Sequence, residues 1–291
     1  SLGIQDFNDS ILKLVNRNPS KLPPADLFRY LKMKGAHVNF DFIFGLPGQT
    51  VESFNETIDK AAEIRPDRLV TFSYAHVPWL KKHQQILEKR GLPDPGEKMK
   101  MFLSGYNKLK TSGYQPIGLD HFVLPEDDLC KAYNEHQLHR NFQGYCTRRT
   151  TGQVYAFGIT AISQLASGYS QNARDIQEYI DTLEKGNLPV ERGYILDEKQ
   201  KITREVINNV MCNKKLDMAA IAQTLNISVE ELKETVNFRE ERLKDFIDDG
   251  LVNYSGNEME VTEKGTMFIR NIAVVFDREY REKNQTYSRT L

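Results

Sequence analysis

Short apolar runs alternate with helical patterns through the first part of the chain. Apolar runs at Val38–Phe44 and Arg68–Tyr74 predict two β-strands. Between them, Val51–Ile64 carries apolar residues every third or fourth position, which predicts a helix, and Pro66 lies just beyond its end. A strand, a helix and a second strand joined by short connections are typical of a parallel sheet.

One stretch, Asn39–Thr50, combines a strand, a turn and the start of a helix. Its sequence is NFDFIFGLPGQT, in which the Gly-Leu-Pro-Gly turn ends the apolar run and Thr50 begins the helical pattern. Asp41 is the single acid in a strand that we expect to be buried on both faces. An unpaired buried charge is very costly, so this carboxylate needs a partner. Near the carboxyl end of a parallel strand that partner is often a ligand, and Asp41 is therefore predicted to contact one.

The pattern changes in the second half of the chain. Gln115–Leu119 and Val154–Ile162 are still apolar enough to form strands. After about Ala173 the sequence becomes charged and mainly helical, so we divide the chain into domains of residues 1–175 and 176–291. The second domain is predicted to contain a hairpin within residues 250–261, a final helix over about residues 262–280, and three earlier helices at Glu198–Asn213, Asp217–Leu225 and Val229–Asp249.

Three helices followed by a hairpin resemble a winged helix, which would suggest DNA binding. The segment that would enter the groove, Ser228–Asp249, holds eight acidic residues against four basic ones. A groove-reading helix should be basic, because phosphate neutralisation supplies most of the affinity. We therefore interpret this part as a helical, winged-helix-like domain that does not bind nucleic acid.

Composition and cysteine spacing argue against several classes of protein. The chain has 39 Lys and Arg residues against 40 Asp and Glu, which gives no support to broad nucleic-acid or membrane-surface binding. No apolar run reaches the ~18 residues of a membrane span. The cysteines Cys130, Cys146 and Cys212 are scattered and do not have the spacing of a zinc or iron–sulfur ligand set. A reduced, cytoplasmic protein fits this pattern best.

The first residues suggest that the chain is a piece of a longer protein. There is no initiator Met, and Ser1–Ile4 has the character of the end of a strand. Loss of preceding strands would leave an unpaired sheet edge at Ser1–Ile4 or at Val38–Phe44. An open apolar edge invites pairing with another chain, so we expect association through that edge or disorder of the first residues.

Two polar stretches are candidates for chemistry. Leu138–Tyr145, LHRNFQGY, is a polar and aromatic loop in which Arg140 could bind a carboxylate and Gln143 could hold a polar edge. The alternative, which composition alone favours, is a surface loop in which His139 and Arg140 make ordinary salt bridges. Asp120-His121 follows a short strand, and this pair is either a general base with its orienting acid or a structural histidine.

Seven stretches of the chain carry a resemblance when they are taken together and in order: GIQDFN, LVNR, NFDFIFGLPGQT, FSYAHVP, GLDHF, LHRNFQGY and FGITAIS. They resemble one enzyme family, the oxygen-independent coproporphyrinogen III oxidases (coproporphyrinogen dehydrogenases). The resemblance extends to the last part of the chain, through IRNIAVVFD and YSRTL. The GLPGQT turn alone is weak evidence, because related radical S-adenosylmethionine (SAM) proteins share it, whereas the DHF and HRNFQGY stretches are more specific. The alternative is a haem- or tetrapyrrole-binding, chaperone-like relative without oxidase turnover.

The resemblance implies an α/β fold: the C-terminal portion of an incomplete parallel (β/α) radical-SAM barrel, followed by a mainly helical, winged-helix-like domain. The family uses SAM and a [4Fe-4S] cluster. Reduction of SAM gives a deoxyadenosyl radical, which abstracts hydrogen from a propionate of coproporphyrinogen III. Carbon dioxide leaves and a vinyl group remains, and the second round gives protoporphyrinogen IX for haem biosynthesis. Electron donors and acceptors, as proteins or small molecules, are the other implied partners.

The resemblance also implies which residues line the SAM sites, as cofactor-binding positions. A glutamine, an arginine and a carboxylate can hold the amino-acid and ribose groups of SAM, while the apolar positions supply backbone or apolar contacts. Arg140 is our own candidate for a substrate carboxylate, and no residue is assigned as catalytic or as a metal ligand. The implied SAM-binding residues are Gln5, Arg17, Asp41, Ala75 and Ile162, with Gln143 as a contact to a second SAM.

The chain lacks two motifs of the family, the cysteine run that holds the cluster and the glycine-rich SAM contacts. The family holds its cluster with a Cys-x3-Cys-x2-Cys run, and none of Cys130, Cys146 and Cys212 lies in such a run. The family's glycine-rich SAM contacts, in the first part of its barrel, are missing as well. We therefore expect a C-terminal part of the enzyme that neither binds the cluster nor turns over substrate alone.

Overall fold

The computed structural model describes residues 1–142, 144–147 and 153–280. The chain folds into two compact units, of which the first is Ser1–Cys130 and the second begins at Lys131. Within the described ranges, every helix is too short or too polar to span a bilayer.

Strands and helices follow one another along both units. The helices are α1 (Asp9–Leu14), α2 (Pro24–Met33), α3 (Val51–Ile64), α4 (Gln85–Glu88), α5 (Pro95–Thr111), α6 (Asp128–Asn134), α7 (Ile176–Glu184), α8 (Glu198–Asn213), α9 (Met218–Leu225), α10 (Val229–Thr235), α11 (Lys244–Asp248) and α12 (Ile269–Val274). The strands are β1 (Leu2–Gln5), β2 (Asn39–Phe44), β3 (Arg68–Ser73), β4 (Gln115–Ile117), β5 (His121–Val123), β6 (His139–Asn141), β7 (Gly144–Cys146), β8 (Ile162–Leu165), β9 (Gly168–Asn172), β10 (Val190–Ile195), β11 (Lys215–Asp217), β12 (Val252–Ser255) and β13 (Glu258–Val261).

A five-stranded sheet forms the first unit, in the order β1-β2-β3-β5-β4. β1, β2 and β3 are parallel, as the strand–helix–strand pattern predicted, and β4 and β5 add to them in antiparallel fashion. The strand predicted at Gln115–Leu119 is present as β4 but ends two residues earlier, because Gly118 has a left-handed φ of 63° and the chain turns back there into β5. β1 lies at an edge of the sheet. Val38–Phe44 does not, because β2 pairs on both sides.

β2 is buried on one face only, so the expectation of a strand buried on both faces is wrong. Its three phenylalanines are buried, and two of them pack against one ring from each of three helices: Phe40 on Phe28 of α2 at 6.1 Å, Phe44 on Phe54 of α3 at 5.9 Å, and Phe44 on Phe102 of α5 at 6.0 Å between ring centroids. The alternate residues, Asn39, Asp41 and Ile43, remain partly exposed. Successive side chains of a strand point to opposite faces, and these helices pack on the phenylalanine face.

Two three-stranded antiparallel sheets, β10-β9-β8 and β11-β13-β12, lie in the second unit. The predicted hairpin near the C-terminal end is confirmed as β12 and β13. The strand predicted at Val154–Ile162 is wrong: Val154 makes an isolated bridge to Gln164, and β8 begins where the predicted strand ends. The long helix predicted at Val229–Asp249 is broken, because Asn237 adopts a left-handed φ of 49° between α10 and α11. The final helix is shorter than predicted and begins as a 3-10 turn.

The division between the units lies earlier than the predicted domain boundary at 175/176. Residues just after the division pack with α8, a helix of the second unit. The backbone N–H of Leu138 donates to Asn213 Oδ1 at 3.0 Å, and the Arg204 guanidinium donates to the carbonyls of Leu165 and Ala166 and lies 5.8 Å from the centre of the Tyr169 ring. These contacts join the segment to the second core, while the functional division at 175/176 stays a prediction.

A buried ion pair makes the first unit sensitive to one substitution. Arg68 of β3 donates to both carboxylate oxygens of Asp127 at 2.7 and 2.9 Å, and Asp127 is buried. Arg68→Met would leave that carboxylate with the Leu129 N–H, at 2.8 Å, as its remaining donor among these contacts. We expect the free energy of unfolding, measured by urea denaturation, to fall by about 1–3 kcal/mol.

The matched control is Arg29→Met, which breaks the exposed ion pair between Arg29 and Asp26 on α2. An exposed pair contributes about 0–1 kcal/mol. Equal losses in the two variants would contradict the importance of the buried pair.

Candidate cofactor-binding site

Three of the predicted site residues meet on one face of the sheet, where β1 and β2 pair. Gly3 of β1 is in register with Asp41 of β2. A Cβ atom at Gly3 would lie 2.7 Å from Gln5 Nε2 and 3.3 Å from Arg17 Nη2, so both side chains lie directly over this glycine. Arg17 also donates to the Gly3 carbonyl. The structure therefore brings Gln5, Arg17 and Asp41 into one cluster.

Asp41 has two hydrogen-bond donors from its own neighbourhood. Ser1 Oγ donates to Asp41 Oδ2 at 2.5 Å, and Asn39 Nδ2 donates to Asp41 Oδ1 at 2.7 Å. Asp41 is the third of the six residues of β2, so it lies in mid-strand rather than near the carboxyl end. Because its face of the sheet is partly exposed, this carboxylate does not require a ligand to balance a buried charge.

Buried polar atoms without hydrogen-bond partners are concentrated in the same unit. Such atoms are uncommon in folded proteins, and each needs an explanation, such as a ligand that supplies the missing partner. Two of them belong to β1 and β2, and three lie at or just after the end of β3. Sequence reasoning missed the β3 group, although the FSYAHVP stretch contains it. In the described part of the first unit these atoms are Gln5 Oε1, Asn39 Oδ1, Ser73 Oγ, Tyr74 Oη and His76 Nδ1.

The loop after β3 is held in a defined shape. Ala75, the fourth predicted site residue of this unit, is exposed, and its carbonyl accepts from Gln84 Nε2 at 3.3 Å. Gln84 is buried and accepts the backbone N–H of Val77 at 2.6 Å. The Tyr74 N–H donates to the Phe44 carbonyl at 2.8 Å, so Ala75 follows directly where β3 leaves β2.

Burial changes the proton affinity of two groups beside this loop. Burial raises the pKa of Tyr74, so its hydroxyl remains a potential donor over a wider pH range. Burial lowers the pKa of Lys98, whose Nζ donates to the Tyr74 carbonyl at 3.3 Å. Both shifts follow from the cost of a charge in a partly desolvated environment.

The Asp120-His121 pair lies in the same sheet. His121 Nδ1 and Asp120 Oδ1 are 2.6 Å apart, and both side chains are mostly buried. His121 is in register with Val70 of β3, which in turn is in register with Asp41. A carboxylate at this distance orients a histidine, which suits a general base and a structural histidine equally well. Its role stays a prediction.

The other candidates belong to the second unit. Arg140 lies in β6, with its guanidinium 5.4 Å from the centre of the Tyr145 ring on the paired strand β7. Ile162 is the first residue of β8, opposite Gln171 of β9, and is partly exposed. Gln143 lies outside the described residues. Arg140 and Ile162 thus lie on separate hairpins.

A metal cluster does not fit the side chains that the structure describes. Among them, no three His, Cys, Asp or Glu side chains come together as a metal-binding group. Cys130, Cys146 and Cys212 form no disulfide with one another, and Cys130 and Cys212 are buried. Thiolate ligands need to converge on a cluster, so these cysteines do not provide an iron–sulfur site.

A buried carboxylate next to Gln5 was not predicted. Asp6 is 1% exposed and follows Gln5 directly. Its oxygens accept from Gln49 Nε2 at 2.6 Å, from Thr57 Oγ1 at 2.6 Å and from the Asn8 N–H at 2.8 Å. Both Asp6 and Gln49 are part of stretches that carry the family resemblance, GIQDFN and GLPGQT, but no local pattern indicates that they touch.

Comparison with known proteins supports the resemblance along the whole chain. Residues 196–268 match the family described as the HemN C-terminal domain. Oxygen-independent coproporphyrinogen III oxidases from Helicobacter pylori strain J99, Synechocystis and Escherichia coli K12 are 36%, 37% and 36% identical to this chain. Each match covers all of this chain and 63%, 63% and 64% of the relative, so the chain spans less than two thirds of these proteins.

The fold has a solved counterpart. The structure of coproporphyrinogen III oxidase (HemN) from Escherichia coli, described as a radical SAM enzyme, superposes with a TM-score of 0.88 at 36% identity. The match covers 96% of this chain and 63% of that one. The predicted resemblance and a mixed α/β fold are therefore confirmed, and these named oxidases do not favour the chaperone-like alternative.

The hydrogen bonds of Asp6 with Gln49, Thr57 and Asn8 form a network, called here the Asp6 network. Gln49 is the donor whose loss should weaken this network most. Its side chain also accepts the Leu46 N–H at 2.8 Å and donates to the Ile43 carbonyl at 2.9 Å. Gln49→Leu leaves the Asp6 carboxylate and the Leu46 N–H without these partners in a buried site. Unsatisfied buried groups cost about 1–3 kcal/mol each, so we expect a loss of about 2–4 kcal/mol in the free energy of unfolding.

The control is Gln177→Leu on α7, which removes an exposed hydrogen bond to Asp181. Its effect on the urea-denaturation midpoint should be small. A Gln49→Leu variant as stable as the control would show that the network contributes little to the fold.

Proposed function

We propose that this chain is the larger part of an oxygen-independent coproporphyrinogen III oxidase. The proposed reaction is the oxidative decarboxylation of two propionates of coproporphyrinogen III to vinyl groups, giving protoporphyrinogen IX in haem biosynthesis. The observation that carries this proposal is identity of 36–37% over the whole chain to three proteins named for that activity.

The finer architecture is part of the proposal. The parallel strands β1, β2 and β3, with helices on one face, would form part of an incomplete (β/α) barrel. The helices α8 and α9, the broken helix formed by α10 and α11, and the sheet β11-β13-β12 would form the winged-helix-like domain. In functional terms we assign residues 1–175 to the barrel and residues 176–291 to the helical domain.

SAM fits the cluster of Gln5, Arg17 and Asp41 in chemical terms. SAM brings an ammonium group, a carboxylate and ribose hydroxyls, which need acceptors and donors. Asp41 supplies a carboxylate, Arg17 a guanidinium, and Gln5 a buried oxygen that lacks a donor in the protein. Ala75 and Ile162 would add backbone or apolar contacts, and Gln143 a contact to a second SAM. These residues would bind and orient SAM, which supplies the radical chemistry once a reduced iron–sulfur cluster is present.

The side chains in the described part of this chain do not form a site for the iron–sulfur cluster. The cluster would be held by other residues of the complete enzyme, and this chain alone is expected to be inactive. Arg140 is proposed to bind a propionate of the substrate, because a guanidinium can pair with a carboxylate through two parallel hydrogen bonds.

The oxidation, the sheet edge and the cysteines each support a proposal about partners or location. Electron donors and acceptors, as proteins or small molecules, are required by the oxidation. β1 lies at an open edge of its sheet, so we propose that it pairs with another chain when nothing else covers it. The scattered spacing of Cys130, Cys146 and Cys212 is compatible with a reducing compartment, and we propose a cytoplasmic location.

Turnover tests the proposed reaction. The protein to assay is this chain joined to a segment corresponding to the rest of its relatives and loaded with the cluster without oxygen. With SAM and a reductant it should convert coproporphyrinogen III to protoporphyrinogen IX, followed by chromatography of the porphyrins after oxidation. This chain alone should give no product. No product from the joined protein would overturn the proposal.

Asp41→Asn tests the SAM site in the joined protein. It removes a charge but keeps the shape of the side chain. The amide oxygen can still accept from Asn39, and the amide NH2 can donate to the Ser1 hydroxyl. Loss of a charge-assisted hydrogen bond is worth about 1.5–3 kcal/mol, so SAM should bind about 10- to 100-fold more weakly by calorimetry.

The control is Asp59→Asn, which removes an exposed carboxylate that pairs with Lys108. SAM affinity should be unchanged in this variant. Equal affinities in the Asp41 and Asp59 variants would remove Asp41 from the site.

A further inference from the structure

Gln5 has a backbone conformation that a residue with a side chain seldom adopts. Its φ is 69°, in the left-handed region. Of the described non-glycine residues with such a φ, Gln5 is the one that lies within a strand. The register of β1 against β2 shifts between Gly3 and Gln5, at the same place. A conformation of this kind persists only where the surroundings impose it.

The neighbouring residue provides the constraint. Asp6 is buried and is tied to three separate parts of the first unit: to Gln49 in the turn after β2, to Thr57 in α3, and to the N–H of Asn8 at the start of α1. Each tie is 2.8 Å or shorter. A buried carboxylate cannot leave such donors without becoming an uncompensated charge, so its backbone is held in place.

The consequence is seen at the Gln5 side chain. With Asp6 fixed inside the core, the left-handed turn at Gln5 directs the amide back over Gly3 and beside Arg17. The amide oxygen, Oε1, is buried there without a donor. The same residue thus combines an unfavourable backbone with an unsatisfied acceptor, a combination that suits a group prepared for a ligand rather than for the free protein.

We propose that Asp6 is a positioning residue: its hydrogen bonds to Gln49 and Thr57 hold Gln5 in the left-handed conformation that presents the Gln5 amide to SAM. The inference rests on the proposed function for the identity of the ligand. The mechanical part, that the Asp6 network imposes the conformation of Gln5, concerns the protein without ligand and is tested separately.

The first test is a double-mutant cycle on the stability of the 291-residue chain. Asp6→Ala would leave the core around it disrupted, so the network is weakened instead by Thr57→Val, with Thr57→Ser as the variant that keeps the hydroxyl. Gln5→Gly removes the penalty of the left-handed φ and should raise the urea-denaturation midpoint. In the Thr57→Val background, the rise in midpoint caused by Gln5→Gly should be smaller, because the left-handed conformation of Gln5 is no longer enforced. In the Thr57→Ser background, the rise should be as large as in the parent chain.

The second test measures SAM affinity by calorimetry in the joined, cluster-loaded protein. Thr57→Val should weaken SAM binding at least threefold, and Thr57→Ser should bind like the parent. Gln5→Ala should weaken binding at least tenfold, and adding Thr57→Val to it should cause no further loss, because Thr57 acts through Gln5. A merely structural role for Thr57 would give losses that add.

The two tests distinguish a failure of the proposed function from a failure of the positioning role of Asp6. Absence of SAM binding by the joined parent protein would overturn the proposed function, and the stability cycle would still decide the role of Asp6. A Gln5→Gly gain that is equal in both backgrounds, or no gain at all, would overturn the mechanical inference. Additive losses of SAM affinity would overturn the claim that the network acts on SAM through Gln5.

Discussion

A buried carboxylate must keep its hydrogen-bond donors, and this constraint organises the first unit. Asp6 draws two of its donors from a turn and a helix more than 40 residues away and the third from the start of α1, so satisfying one charge joins three elements. The donors sit close to the pairing of β1 with β2. The same requirement that stabilises the core therefore also determines the backbone next to it, where the proposed SAM residues lie.

The one-sided packing of β2 explains why polar side chains can gather beside it. The three phenylalanines of β2 satisfy the need for apolar contact with the helices, which leaves the opposite face free for Asn39 and Asp41. Hydrogen bonds from Ser1 and Asn39 hold the Asp41 carboxylate on that face without full burial. A binding surface built in this way keeps its charge accessible while the core of the unit remains apolar.

Much of the architecture of the first unit could be predicted from local pattern. The apolar run of β2, the Gly-Leu-Pro-Gly turn and the Thr50 cap specify strand, turn and helix through short-range steric and hydrogen-bonding rules, and the structure agrees. Two of the failures have a common cause. Gly118 and Asn237 reverse or break elements through left-handed backbones. Sequence pattern does not distinguish such a residue from one in an ordinary turn or helix.

The sequence by itself determined the parallel strand–helix–strand unit, the C-terminal hairpin and the family resemblance, because these depend on residue order and local periodicity. Tertiary structure alone decided which face of β2 is buried, that Leu138, Leu165 and Ala166 contact α8, and that Asp6 meets Gln49 and Thr57. Gln5 shows the difference most clearly. Its presence in a motif was visible in the sequence, but its left-handed φ and its buried, unsatisfied oxygen arise from contacts between residues more than 40 positions apart, which no local pattern encodes.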